Sequence, residues 1–425
     1  MSFQPGDIPN LTPPFKLVAT YFITSVLFFV GGTFLTFINA QDFQQFYFQP
    51  HILAITHTIA LGWITMVISG AVYQLIPVVF RVRIYSVYLS GIQYFLLTIG
   101  SLGMIYGFYE LNISSGFVVF ASMAYVGIVI FTLNVITTLF KVKDWNITGY
   151  HLLTAVIFLF IAVSVGLILA LNLRYGFLMV NHLEILKVHA HLAIAGFVVM
   201  IIFGTVYQLI PMFVLSYDFS RSSGALAYFL VVIGLIGYGV SIAFGDHTYL
   251  ANIFSVSISA GMFVFIYQVF IILRKRIRKK LDVGLKQTVV SFVFLGLASL
   301  MYIALALSDL FGFVPPHFNP IAVGFFIFFG FIGSLILGQM LKISPFLVWL
   351  RKYSSKVGIV EVPSLHEMVD QKLAYLELIL WSMAVPMATI AIIISNVPLL
   401  FVGTGLMFVS SIFFLVVRYK IFIRS

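Results

Sequence analysis

Cysteine is absent from the 425-residue chain, which excludes structural disulfides, thiolate metal sites and iron–sulfur clusters. Any metal or cofactor must be held by histidine, carboxylate or thioether. Charged residues make up only 8% of the chain, too few to clothe a soluble domain. Carboxylates within apolar stretches are scarcer still: Glu377, Asp309 and Glu184 are the only candidates. Buried charges of that kind carry proton relays, so their scarcity argues against a redox-driven proton pump. Long polar connections are also missing. The longest, about 342–370, reads as a cytoplasmic cap rather than a second domain.

Apolar residues, by contrast, reach 62%, with a mean hydropathy of +1.13. The apolar runs recur at the roughly twenty residues needed to cross about 30 Å of hydrocarbon. They are too long for the ~10-residue strands of a membrane barrel and too numerous for a signal peptide. The fold class is therefore an all-α integral membrane protein forming a single transmembrane domain over 1–425. Twelve spans fit: 16–38, 51–80, 85–108, 115–140, 149–173, 186–215, 223–245, 248–273, 287–308, 317–343, 371–394 and 397–417.

The net charge of +10 is not a nucleic-acid signal, because its distribution follows the spans. Only Arg174 and Lys187 fall in one set of loops, leaving 23 − 2 = 21 basic residues on the other side. The positive-inside rule makes that side cytoplasmic, with both termini inside the cytoplasmic (inner) membrane and the basic loops against anionic lipid headgroups.

Two spans carry the same words. His57 is followed by Gly62, Gln74 and Pro77; His191 by Gly196, Gln208 and Pro211; the offsets are five, seventeen and twenty residues in both. Gly70-Ala-Val-Tyr-Gln-Leu-Ile-Pro and Gly204-Thr-Val-Tyr-Gln-Leu-Ile-Pro close the copies. In the tenth span Asn319 stands five residues before Gly324, which suggests a third, diverged copy, with separations of 191 − 57 = 134 and 319 − 191 = 128 residues. The repeats suggest three four-helix units (about 16–140, 149–273 and 287–417).

His189 and His191, two residues apart on a helix, point about 200° from one another and can serve separate sites. On a pseudo-threefold arrangement each motif helix borders two interhelical pores. His57 then pairs with His189, and His191 with His317, while Asn319 and Ile55 leave a third pore without a ligand. Two neutral imidazoles across an apolar bundle suit the axial positions of haem iron, so one or two haem b groups are expected and no copper. Gly62 and Gly196 would leave room beside a flat cofactor, or equally let helices approach closely. His182, seven residues before His189 and about 10 Å farther out, is placed to meet a haem propionate or solvent. Tyr73 and Tyr207 read as a boundary belt before a helix-ending proline, and His51 and His151 as interfacial.

These motifs resemble subunit I of the haem–copper oxidase superfamily, with wording closest to cbb-type oxidases and nitric oxide reductases. The resemblance implies twelve helices in three arcs, with histidines near the outer ends of spans two, six and ten. It departs at span seven: no histidine pair is present over 223–244, so the family's copper site has no ligands. The family's low-spin haem positions are Ile55 and Asn319 here. The reading is a copper-less, b-type haem protein carrying electrons in a respiratory chain, with respiratory partner subunits or a cytochrome or quinol donor. A nitric oxide or gas-binding haem protein and a haem-free transporter lined by histidines are the alternatives. Topology is checked first: a reporter active only after export should work when fused between Tyr175 and His182, and should fail at the C-terminus.

Overall fold

The computed structural model describes residues 11–217, 219–220, 222–243, 248–312 and 320–423. Among these residues, twelve helices are long and apolar enough to span a membrane, and no strand occurs. They are α1 (Phe15–Ile38), α2 (Pro50–Phe80), α3 (Val87–Tyr109), α4 (Ser115–Leu139), α5 (Ile147–Tyr175) and α6 (His182–Val214), then α7 (Ser222–Ala243), α8 (Tyr249–Arg274), α9 (Val283–Phe311), α10 (Pro320–Lys352), α11 (Gln371–Ile393) and α12 (Val397–Phe422). The helices are the form a chain must take here, because hydrocarbon offers backbone N–H and C=O groups no partner other than their own.

Local sequence sets the ends. Asn146, Asp282, Asp370 and Asn396 each accept the amide of a first-turn residue, at 3.1, 3.1, 3.2 and 2.9 Å. Asp370 also accepts from Lys420 Nζ at 2.6 Å. That hydrogen bond, ahead of the one from the Leu373 amide, holds the carboxyl below the usual carboxylate range. Its small contribution is present above the unfolded carboxyl's pKa and is lost as pH falls through the lowered folded value. At the other ends, Gly176 (φ 63°) and Gly312 (φ 67°) turn the chain left-handed after α5 and α9.

The prolines do not end their helices. α2 and α6 run three residues past Pro77 and Pro211, and α10 seven past Pro345. What stops α2 and α6 is a left-handed residue, Arg81 (φ 55°) and Leu215 (φ 53°), at matching places of the two copies.

Successive helices pack against each other throughout, and α12 returns to pack on α1. The motif helices α2, α6 and α10 have 72%, 72% and 83% of their apolar segments buried, against 33–50% for the other nine described spans. They therefore stand at the centre, where each can face more than one neighbour. Close approach is bought with glycine where needed: at the α9–α10 crossing a Cβ on Gly338 would lie 2.6 Å from the Gly284 carbonyl oxygen, and one on Gly284 2.7 Å from that of Gly338. Gly338→Ala should cost about 1–3 kcal/mol, read as a lower unfolding midpoint in lipid or detergent. Gly31→Ala, with no atom within 4 Å of its Cβ, should leave the midpoint unchanged or slightly raised.

Candidate functional site

Each motif helix changes pitch in the middle. Eight-residue π-helical segments occupy Thr58–Thr65, Leu192–Val199 and Phe326–Gly333. A wide turn inserts an extra residue and re-aims the side chains that precede it, and such turns gather at functional sites. The first two segments begin directly after His57 and His191. All three starts are separated by equal steps of 134 residues (192 − 58 and 326 − 192).

That spacing corrects the register of the third copy. Gly330, Gly338 and Pro345 are the counterparts of Gly62 and Gly196, of Gly70 and Gly204, and of Pro77 and Pro211. The Asn319–Gly324 alignment is six residues early. At the places of His189 and His191, α10 carries Val323 and Phe325, both buried. His317 and Asn319 lie outside the described residues.

His57 and His189 line one cavity of about 210 Å³ bounded by α2 to α6. His57 Nδ1 sits 2.8 Å from the Leu53 carbonyl oxygen, and His189 Nδ1 2.8 Å from that of Ala162 on α5. A carbonyl can only accept, so Nδ1–H donates in both rings and the lone pair is left on Nε2, where neither ring has a hydrogen-bond partner among the described residues. His57 is stacked on Phe108, with centroids 4.9 Å apart. His189 is seated against α5 at Gly166, where a Cβ would lie 2.7 Å from its Cε1. The remaining lining is mostly apolar, with pliable Met104 and several leucines, and includes Thr56, Thr65, Tyr125 and His182.

His191 faces elsewhere, as its position on the helix requires. It lines a second cavity, of about 400 Å³, with residues of α2, α8, α9 and α10. Its Nδ1 donates to the Lys187 carbonyl at 2.7 Å. Unlike the other two, its Nε2 is occupied, accepting from the Tyr302 hydroxyl. Tyr302 is in turn 2.9 Å from Ser255 Oγ, and Tyr238 stacks on the imidazole at 4.0 Å.

His182, the first residue of α6, also lines the smaller cavity, its Nδ1 3.1 Å from Asn172 Nδ2 and its ring 5.3 Å from Phe48. Gly62 and Gly196 line neither cavity. A Cβ on Gly62 would overlap the Phe28 ring, and one on Gly196 would come within 2.8 Å of Phe158 Cβ, so both glycines serve helix packing.

Several polar residues prove more deeply placed than their sequence positions suggest. His151 is 0% exposed, pressed under Gly204 with Nδ1 donating to the Ile147 carbonyl at 2.7 Å. Tyr73 belongs to a buried network in which its hydroxyl donates to Gln93 Oε1 at 3.1 Å. Glu377 neither pairs with Lys372 nor reaches headgroups: it is 1% exposed and accepts from Gln287 Nε2 at 2.9 Å. Arg418, 2% exposed, donates from Nη2 to the Leu337 carbonyl at 3.2 Å and covers the Phe414 ring. The scarcity of charge inside spans was the signal available for these two.

No family model matches the chain, and no curated protein matches it. The chemistry must be read from the donors themselves. Among the described residues no three His, Cys, Asp or Glu side chains gather closely enough to hold a bare metal ion. What the described residues do offer is two imidazoles lining one cavity, each with its Nε2 lone pair free of the backbone. Gly166→Ala tests the seat of one ring. It should displace the His189 imidazole and break its bond to Ala162 with little loss of fold, seen as a shifted His189 resonance in histidine-labelled protein.

Proposed function

We propose that this chain is a b-type haem protein of the cytoplasmic membrane that transfers electrons, with one haem held between α2 and α6 by His57 and His189. The observation that carries it is the pair of Nε2 lone pairs on one cavity, each ring locked through Nδ1 to a backbone carbonyl. Locking both rings lowers the entropy lost when they become ligands and raises their basicity. Such a group would supply one-electron chemistry, and with both His57 and His189 holding it the site would carry electrons rather than bind oxygen. His182 and Asn172 at the outer end of the cavity are placed to hold an anionic side group. Phe108 and the leucines exclude water and keep the site's dielectric low.

The same reading arranges the twelve helices as three four-helix arcs, each presenting its second helix to the centre. Support comes from the equal 134-residue steps of the π segments, from the central burial of α2, α6 and α10, and from the packing of α4 on α5, α8 on α9 and α12 on α1. It gives one ligand pair rather than two, since Val323 and Phe325 stand where the third helix would contribute. It also keeps both termini cytoplasmic, with respiratory partner subunits supplying or receiving the electron.

Oxidised and dithionite-reduced absorption spectra test it. The wild type should show sharp reduced b-type bands that do not move with carbon monoxide. His57→Ala and His189→Ala should each abolish them at unchanged helix content, whereas His191→Ala should keep them. A carbon monoxide shift in the wild type would favour the gas-binding reading. Assembled protein with no haem would leave the transporter.

A further inference from the structure

The larger cavity, of about 400 Å³, is not needed to hold that haem. It is apolar and aromatic nearly throughout, with Phe325, Phe328, Phe329 and Phe331 of α10 forming one wall. Its polar lining includes Thr56, Lys187, Ser259 and Ser299, and two further members, Tyr302 and His191, are joined by a hydrogen bond whose direction is fixed, with Ser255 Oγ 2.9 Å behind Tyr302. His191 Nδ1 is committed to the Lys187 carbonyl, so Nε2 must accept and the Tyr302 hydroxyl must donate to it. A ligand group that opens this contact has to donate to Nε2 and accept from Tyr302 at once. A ring hydroxyl does both, whereas a ring carbonyl can only accept.

From this we infer that the His191 cavity binds a lipid-soluble hydroquinone, its ring against the phenylalanine wall and one hydroxyl inserted between His191 and Tyr302. The apolar lining suits a flat ring that reaches the protein through the bilayer. Leu53, Thr56, Leu186, Ala190, Ile194 and Phe328 line both cavities, so a single layer of side chains separates the bound ring from the His57–His189 cavity. The ligand's role as electron donor rests on the haem reading above; its binding does not.

Fixed directionality makes the reduced form the better ligand. The hydroquinone makes two hydrogen bonds where the quinone makes one, and a net bond is worth roughly two- to twelvefold in affinity. The test is anaerobic titration calorimetry of the full-length chain in lipid nanodiscs, with a decyl-tailed benzoquinone and its hydroquinone as probes. Wild type should prefer the hydroquinone by that factor. His191→Leu should erase the preference, and Tyr302→Phe should weaken both forms. Ser255→Ala, which leaves both rings in place, should weaken hydroquinone binding at least about twofold. No binding to wild type, equal affinity for the two forms, or affinities unaltered in all three variants would overturn the inference. So would loss of haem in His191→Leu, since that would make His191 an iron ligand. Haem content of the same samples, measured as the pyridine complex, separates the two readings: no haem with hydroquinone preferred sinks the function proposed above and leaves this site standing.

Discussion

An imidazole buried among hydrocarbon side chains can satisfy only one of its nitrogens from the backbone, and which one it satisfies decides what the other can do. In His57, His189 and His191 the backbone takes Nδ1 every time, through Leu53, Ala162 and Lys187. The accepting lone pair is thereby delivered to Nε2 at the cavity surface in all three. The helices around them serve that arrangement. α5 brings up the Ala162 carbonyl and clears space at Gly166, and the π turns after His57 and His191 set the angle at which the rings leave their helices.

The three copies share a backbone plan more faithfully than they share chemistry. All have the wide turn, the two glycines and the late proline in one register. Only the first two end in a left-handed residue, at Arg81 and Leu215, while α10 runs on to Lys352. The third copy also exchanges imidazoles for Val323 and Phe325, and aromatic rings meet around it: Phe325 is tilted against Phe329 at 4.7 Å, and Phe29 is stacked on Trp63 at 4.0 Å. Such ring contacts stabilise the bundle by the apolar area they bury.

Much of this was legible in the chain itself. Hydropathy gave the twelve helices to within a few residues at most ends, because the bilayer fixes their length. The repeated His, Gly, Gln and Pro marked α2 and α6, and the 200° angle between His189 and His191 put them on different cavities. The third copy was misaligned because Gly324 mimics the motif by local spacing, whereas Gly330, Gly338 and Pro345 carry it in register. Local hydropathy could not place Glu377, Arg418 or His151 either. Burial of a polar side chain depends on partners such as Gln287 and the Leu337 carbonyl, which lie tens of residues away along the chain. The role of Tyr302 carried no local signal at all, since an isolated tyrosine in an apolar run reads as packing until His191 is seen beside it.

Near-infrared magnetic circular dichroism of the oxidised protein reports the axial ligands of low-spin ferric haem and is the most direct test of the paired lone pairs. The expected result is a single bis-imidazole band, integrating to one haem per chain. A high-spin spectrum, a histidine–methionine band or a protein without haem would contradict it.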